Sequence, residues 1–294
     1  MSQLRTVRVS ASVCLALAVV GYPSRAEVNG SGYVPCDFRL AFHDEFDGTE
    51  LDRSTWYTRY IYDGGTLDHL NDDQQVYRDN NNHIVSEGTL KLVAYKVRED
   101  PSGINYESGM IRSHYTRKYG YFEARVRMPG GRGVFPAFWL NPEDQTWPPE
   151  YDIFEFVNNE VEDRINMLHT GVINHGAQGG AFLYVDPNFH TDWTYWLASF
   201  NFPDDFHVIA GLWDTDDTVT TFVDGVPIVT RSYNWVHDDG SDGGVAHILV
   251  NLAIGGPSWA GRHGIDDCAF PQALEVDYVR VYCRADVPDC QPIE

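Results

Sequence analysis

Basic residues are scarce in this chain. Twenty-one Lys and Arg stand against 43 Asp and Glu, which leaves a formal charge of −22 at neutral pH. A nucleic-acid binder needs cationic contacts to phosphate, and a surface this acidic excludes that class. It also disfavours a strongly anionic polymer as partner. Long apolar runs are missing as well. Ala11 to Val20 is a short one, about half of the roughly 20 residues that cross a bilayer, so no membrane span is expected. Cysteine is sparse, five in 294 residues with no tight Cys-x-x-Cys pair, which argues against a zinc site. No stretch sustains an apolar period of 3.6, which sets aside a helical bundle.

The N-terminus carries its own signal. Arg5 and Arg8 precede the apolar run, and Ser24-Arg-Ala26 offers small residues for cleavage, so residues 1–26 read as a secretory signal peptide. Its removal takes Arg5, Arg8 and Arg25 and moves the charge from −22 to −25. Cys14 leaves with it. Cys36, Cys268, Cys283 and Cys290 remain, an even number in an exported chain, with three possible pairings. Cys283 to Cys290 would close a short loop and pin the tail. Cys36 to Cys268 would then tie the N-terminal lead to a late loop.

What the chain has in abundance is short strands and turns. Tyr121 to Met128 alternates, with Phe122, Ala124, Val126 and Met128 on one face and Tyr121, Glu123, Arg125 and Arg127 on the other. That is the pattern of a half-buried strand. Thr218 to Val223 meets Val226 to Thr230 across Asp224-Gly225, a two-residue hairpin signal. Thr89 to Tyr95, His247 to Leu252 and Val276 to Tyr282 read as further strands. No linker or repeat interrupts residues 38–284. One all-β domain, a β-sandwich, is expected there, between a lead at 27–37 and a tail at 285–294. Long loops are expected at 141–149, 172–205 and 255–272, and such loops often carry binding function. The second brings Tyr184, Trp193, Tyr195 and Trp196; most should pack the loop down, with one or two facing substrate.

The chemistry lies in Trp147-Pro-Pro-Glu150-Tyr-Asp152-Ile-Phe-Glu155-Phe. Its aromatic and β-branched neighbours favour a strand. Glu150 and Asp152 then share a face, because the side-chain period is two, and Glu155 points the other way. One β-bulge at Ile153 or Phe154 returns Glu155 to the face of the other two acids. Two glutamates about 5–6 Å apart suit retaining glycoside hydrolysis.

Glu150-Tyr-Asp152-Ile-Phe-Glu155 resembles the E-x-D-x-x-E signature of glycoside hydrolase family 16, in the bulged form of its laminarinases and agarases. Phe42-His-Asp-Glu45-Phe, Ser108-Gly-Met-Ile-Arg112-Ser, Lys118 to Arg125 and the stretch ending at Trp139 resemble other family segments in the same order. So do Asp224-Gly225, Asn251 to Gly256 and Val276 to Tyr282. The resemblance implies a concanavalin A-like jelly roll whose concave sheet holds the cleft. It implies an endo-acting β-glucanase for β-1,3 or mixed β-1,3/1,4 linkages. A galactan or bacterial exopolysaccharide depolymerase, or a transglycosylase, is the alternative on the same fold.

By the same resemblance Glu150 is the nucleophile, Glu155 the general acid/base and Asp152 the auxiliary acid between them. Tyr77, Arg112, Trp139, Trp147, His169, Trp213, Asn251 and Trp259 would line the groove, and Arg262 and His263 would add a positive spot beside Trp259. Catalysis needs no cofactor. Family members often hold one Ca²⁺ on the convex side, for which Glu45, the Gly88 carbonyl and Asp277 are the matching ligands. A secreted monomer acting on neutral polysaccharide is expected. Two departures bear on subsite shape rather than on the reaction. Pro148-Pro149 stands where many laminarinases have a small residue, and Tyr151 replaces an aliphatic one.

Overall fold

Strands follow one another closely along the computed structural model, which describes residues 33–97, 104–175, 189–287 and 289–293. The expected signal peptide and Tyr184 lie outside the described residues. The first strands are β1 (Phe38–Asp44), β2 (Trp56–Tyr57), β3 (Gln75–Tyr77), β4 (His83–Ser86), β5 (Thr89–Lys96) and β6 (Tyr106–Ser108). The middle of the chain forms β7 (Met110–Arg117), β8 (Gly120–Arg127), β9 (Val134–Pro142), β10 (Glu150–Glu155), β11 (Met167–His175) and β12 (Phe189–Leu197). Then come β13 (His207–Asp214), β14 (Thr218–Val223), β15 (Val226–Ser232), β16 (Ala246–Ile254) and β17 (Gln272–Arg284). Helix is confined to single turns at Tyr62–Gly65 and Asp267–Ala269 among the described residues.

The strands make two sheets. The smaller runs β12-β11-β10-β9-β16-β7-β2, and the larger runs β15-β14-β13-β8-β17-β5-β6-β3, with β1 added to β17 and β4 to β5. Pairing is antiparallel except between β3 and β6. Alternation explains the packing. Phe122, Ala124 and Val126 of β8 meet Phe138, Leu140, Phe154, Ile248 and Val250 from the opposite sheet in one continuous core. Truncating a ring such as Phe138 to Ala there costs about 3–5 kcal/mol.

The other face of β8 departs from its half-buried pattern. Tyr121 and Glu123 are buried too, because Val34, Phe38, Leu40 and Phe222 cover Tyr121 and the Tyr282 hydroxyl donates to Glu123 at 3.3 Å. Asp224 and Gly225 both have positive φ, 48° and 76°, as a type I′ hairpin turn requires.

Two expectations need correction. The stretch 172–205 is not one loop, since β11 runs to His175 and β12 occupies Phe189–Leu197. The Cys36 to Cys268 pairing is not seen: Cys283 joins Cys290 with Cα atoms 5.3 Å apart, whereas Cys36 and Cys268 are both exposed and not joined to each other. The tail is further held by Arg117, which donates to the Asp289 carbonyl at 3.1 Å, and by Ile293 N–H on the Leu40 carbonyl at 2.9 Å. No helix of the described residues is long and apolar enough to cross a membrane.

Candidate active site

The bulge is present. Against β9, Asp152 pairs with Trp139 and Phe154 with Phe138, so Ile153 is the extra residue. Against β11, Asp152 pairs with Gly171 and Glu155 with His169. Tyr151, Ile153, Phe154 and Phe156 all go into the core, which leaves Glu150, Asp152 and Glu155 on the concave face. Two rows of neighbours then cross that face. One is Gly171, Asp152, Trp139, Leu249, Arg112; the other is His169, Glu155, Ala137, Asn251, Met110.

β10 is held from both sides. Tyr151 Oη lies 2.9 Å from Thr221 Oγ1 across the sandwich. Thr170 Oγ1 donates to the Asp152 carbonyl at 2.9 Å. Tyr233, which follows β15, accepts the Glu150 N–H at 2.8 Å, and its hydroxyl lies 2.6 Å from the Glu150 carbonyl and 2.8 Å from that of Ile173. The approach through Pro148 and Pro149 is fixed by His237, whose Nδ1 is 2.9 Å from the Pro148 carbonyl and whose Nε2 is 3.0 Å from Asp144. The Trp147-Pro148 and Pro148-Pro149 bonds are both cis.

Among the described residues the three acids form no ion pair; their carboxyls feel burial and one another, and Asp152 also feels the charge of Arg231. Burial pushes Glu150 up to about 7, while hydrogen bonds from the Trp147 indole (2.6 Å to Oε2) and from Asp152 pull it back. Asp152 is held well above the usual carboxylate range by burial, then by the charges of Glu150 and Glu155. Glu155 is also held well above the usual range by burial, then by Glu150 and Asp73, and its buried Oε2 has no hydrogen-bond partner among the described residues. Like charges this close do not all ionise, so the cluster loses its protons in steps that belong to the group. Glu150 alone has donors aimed at it, so it ionises first. Glu155 is pushed toward its protonated form, the state that a general acid needs.

Asp73 is a fourth acid that the motif does not contain. It is pushed up to about 7 by burial, and Gln75 donates to it at 3.2 Å. Gln75 in turn accepts the Ile254 N–H at 2.6 Å. The only sequence signal for this pair is its place two and four residues before Tyr77. Tyr233 gave no signal either, because its role comes entirely from a distant loop.

The predicted groove residues divide. Trp139 Nε1 donates to Asn251 at 2.8 Å, and Asn251 donates to the Tyr77 hydroxyl at 3.0 Å, beside the two catalytic rows. Tyr77 is fully buried, so it supports Asn251 from beneath rather than touching substrate. His169 is buried against Glu155, 2.8 Å from Asp163, with Trp259 at 5.3 Å and Tyr195 at 4.8 Å. Trp147 is exposed and Trp259 half-buried, both open to a ligand.

Arg112 is on the concave face but turned inward. It donates to the Arg59 carbonyl and to His247 (3.2 and 3.1 Å) and lies over the Tyr57 ring, with no carboxylate partner. His247 is pushed down to about 4 by burial, then by Arg112, so its neutral ring accepts that bond. Trp213 is a correction. It sits in the core between the sheets, against Tyr119 and Trp235, and cannot reach the cleft. The positive spot beside Trp259 is offset in part, because Arg262 and His263 both lie against Glu162, at 3.9 and 2.8 Å.

The residues expected for Ca²⁺ do not fit it. Glu45 receives two hydrogen bonds from Arg280 at 2.8 and 2.7 Å, and Asp277 is paired with Arg125 at 2.7 Å. Gly88 serves the turn between β4 and β5 with φ of 70°. Guanidinium groups already take the charge that a hard cation would need. No other cluster of metal-ligating side chains is found among the described residues.

Paired glutamates flanking a bulge, on the concave sheet of a jelly roll, define a glycoside hydrolase. Comparison with known proteins gives the family. Residues 39–283 match the β-porphyranase A–D GH16 domain. A β-glucanase of Rhodothermus marinus is 32% identical over 83% of this chain and 85% of its own length. The structure of SCLam, a non-specific endo-β-1,3(4)-glucanase of family GH16, superposes with a TM-score of 0.69 at 28% identity, over 85% of this chain and 93% of the other. The R. marinus laminarinase structure gives a TM-score of 0.67 at 28% identity, over 83% and 97%. The chain belongs to glycoside hydrolase family 16.

Proposed function

We propose that this chain is a secreted, retaining endo-β-glucanase acting on neutral β-1,3 or mixed β-1,3/1,4 glucan. The observation that carries the reaction is the bulge at Ile153, which brings Glu155, buried and with its carboxyl pushed upward, to the face of Glu150. The Glu150 carboxylate attacks the anomeric carbon while the glycosidic C–O bond breaks and Glu155 gives its proton to the departing oxygen. Glu155, now charged, takes a proton from water, whose oxygen attacks the same carbon and frees Glu150. Asp152 hydrogen-bonds Glu150 and holds its orientation.

Two observations support a neutral substrate. The chain is strongly acidic, and the Glu162 carboxylate lies against both Arg262 and His263. Glucanase relatives point the same way. The one observation on the side of a galactan is the β-porphyranase domain match. A panel of laminarin, mixed-linkage glucan, agarose, carrageenan and a succinoglycan-type polymer separates them. Short β-1,3-linked oligomers from laminarin, with β-anomers formed first in NMR, are expected. Cleavage confined to a galactan or exopolysaccharide would overturn the substrate and leave the glutamates in their roles.

A further inference from the structure

The two rows that cross the concave face continue past β11. Gly171, opposite Asp152, pairs with Trp193 on β12, and His169, opposite Glu155, pairs with Tyr195. With strands about 4.8 Å apart, these two aromatics stand roughly 10 Å from the catalytic strand. Directly paired residues share a face, so Trp193 and Tyr195 belong to the cleft side. The residues between them confirm the parity. Thr194 accepts a hydrogen bond from Arg231 at 2.6 Å, and Trp196 packs against Phe200 and Phe202.

Gly171 shows that the arrangement is built. It lies in mid-strand, where glycine weakens a sheet unless something must come close. A Cβ there would meet Trp193 Cε3 at 2.4 Å, so the indole lies across β11 in the space a side chain would take. From there it meets Trp259 edge to face, with ring centroids 6.3 Å apart. Tyr195 stands edge-on to His169 and is 64% exposed. An aromatic wall therefore runs without a break from Glu155 and Trp259 to the outer strand of the sheet. Large exposed rings on a sheet edge are a liability unless something uses them.

We propose that Trp193 and Tyr195 form a distal subsite, taking the apolar C–H face of a neutral pyranose beyond the sugar held at Trp259. The subsite rests on the cleft assignment above, because its occupant is the continuation of the chain being cut. It makes the enzyme prefer long polymer over short oligomers.

The test compares kcat/KM on β-1,3-linked gluco-oligosaccharides of six and of three units. In Tyr195→Ala the ratio of long to short falls about five- to tenfold, the scale of one lost aromatic contact. Tyr195→Phe, which keeps the ring, restores it. Trp193→Ala, with its void over Gly171, lowers the ratio further. An unchanged ratio, or equal loss on both lengths, overturns the subsite. So does a dimer that Tyr195→Ala dissociates, which would make β12 a contact between two copies. If the wild type leaves these oligosaccharides intact, the glucan assignment fails. The same ratio is then read on oligomers of whichever panel polymer it cleaves.

Discussion

Acids on the two outer faces of this sandwich behave in opposite ways. On the larger sheet Glu45 binds Arg280, Asp277 binds Arg125, Glu275 binds Arg127 and Asp214 binds Arg284. On the concave sheet Glu150, Asp152, Glu155 and Asp73 crowd together with their carboxyls pushed upward, and the charge of Arg231 only partly offsets this at Asp152. Val276-Asp277-Tyr278 and Tyr151-Asp152-Ile153 look alike as letters. The nearest charge separates them, the Arg125 guanidinium from the neighbouring strand for Asp277 and the carboxyls of Glu150 and Glu155 on its own strand for Asp152. Paired acids hold the fold together, and crowded acids store a proton where a bond is to be broken.

That contrast breaks most sharply at the glutamates. Glu150→Gln or Glu155→Gln should lower kcat on polymer about 10³- to 10⁴-fold, read as reducing ends released. Stability should move the other way. Glu155 binds its proton more tightly folded than unfolded, so its contribution is full below the unfolded pKa and fades as pH rises through the folded one. Glu155→Gln cannot ionise and should raise the melting temperature at pH 8 more than at pH 5. A lower melting temperature at both would contradict the crowding. Activity of the wild type should be bell-shaped in pH, falling on the acid side as Glu150 is protonated and on the basic side as Glu155 loses its proton.

A smaller effect is expected one layer down. Tyr77→Phe removes the hydroxyl that receives Asn251, and kcat/KM should fall about fivefold, the scale of one hydrogen bond. The smallest belongs to the opposite face. Asp277→Asn should cost about 0.2–1 kcal/mol by thermal melting, with unchanged kcat. A chelator should leave the melting temperature of the wild type unchanged; a fall of several degrees would restore Ca²⁺ to Glu45 and Asp277.

The sequence made the fold and the reaction legible because both rest on local pattern. Alternation in β8, the Asp224-Gly225 turn and the spacing of Glu150, Asp152 and Glu155 are properties of short stretches. What escaped depends on chain far away. Asp73 reaches the acids from before β3, and Tyr233 from after β15. β12 hid as a loop because both its faces carry aromatics, Trp193 and Tyr195 on one and Trp196 on the other, so it shows no polar alternation. Trp213 was assigned to the cleft by resemblance, yet it lies on β13 of the other sheet, which no motif reveals.

Tyr233 ties these scales together. The phenol that grips both the N–H and the carbonyl of Glu150 belongs to the chain just after β15, the last strand of the larger sheet. Glu150 is thus moored to the opposite half of the sandwich. Its amide hydrogen should exchange with solvent only when that outer strand lets go, at the pace of an edge rather than of the core. Heat would then silence the enzyme by slackening one rope while the hull is still sound.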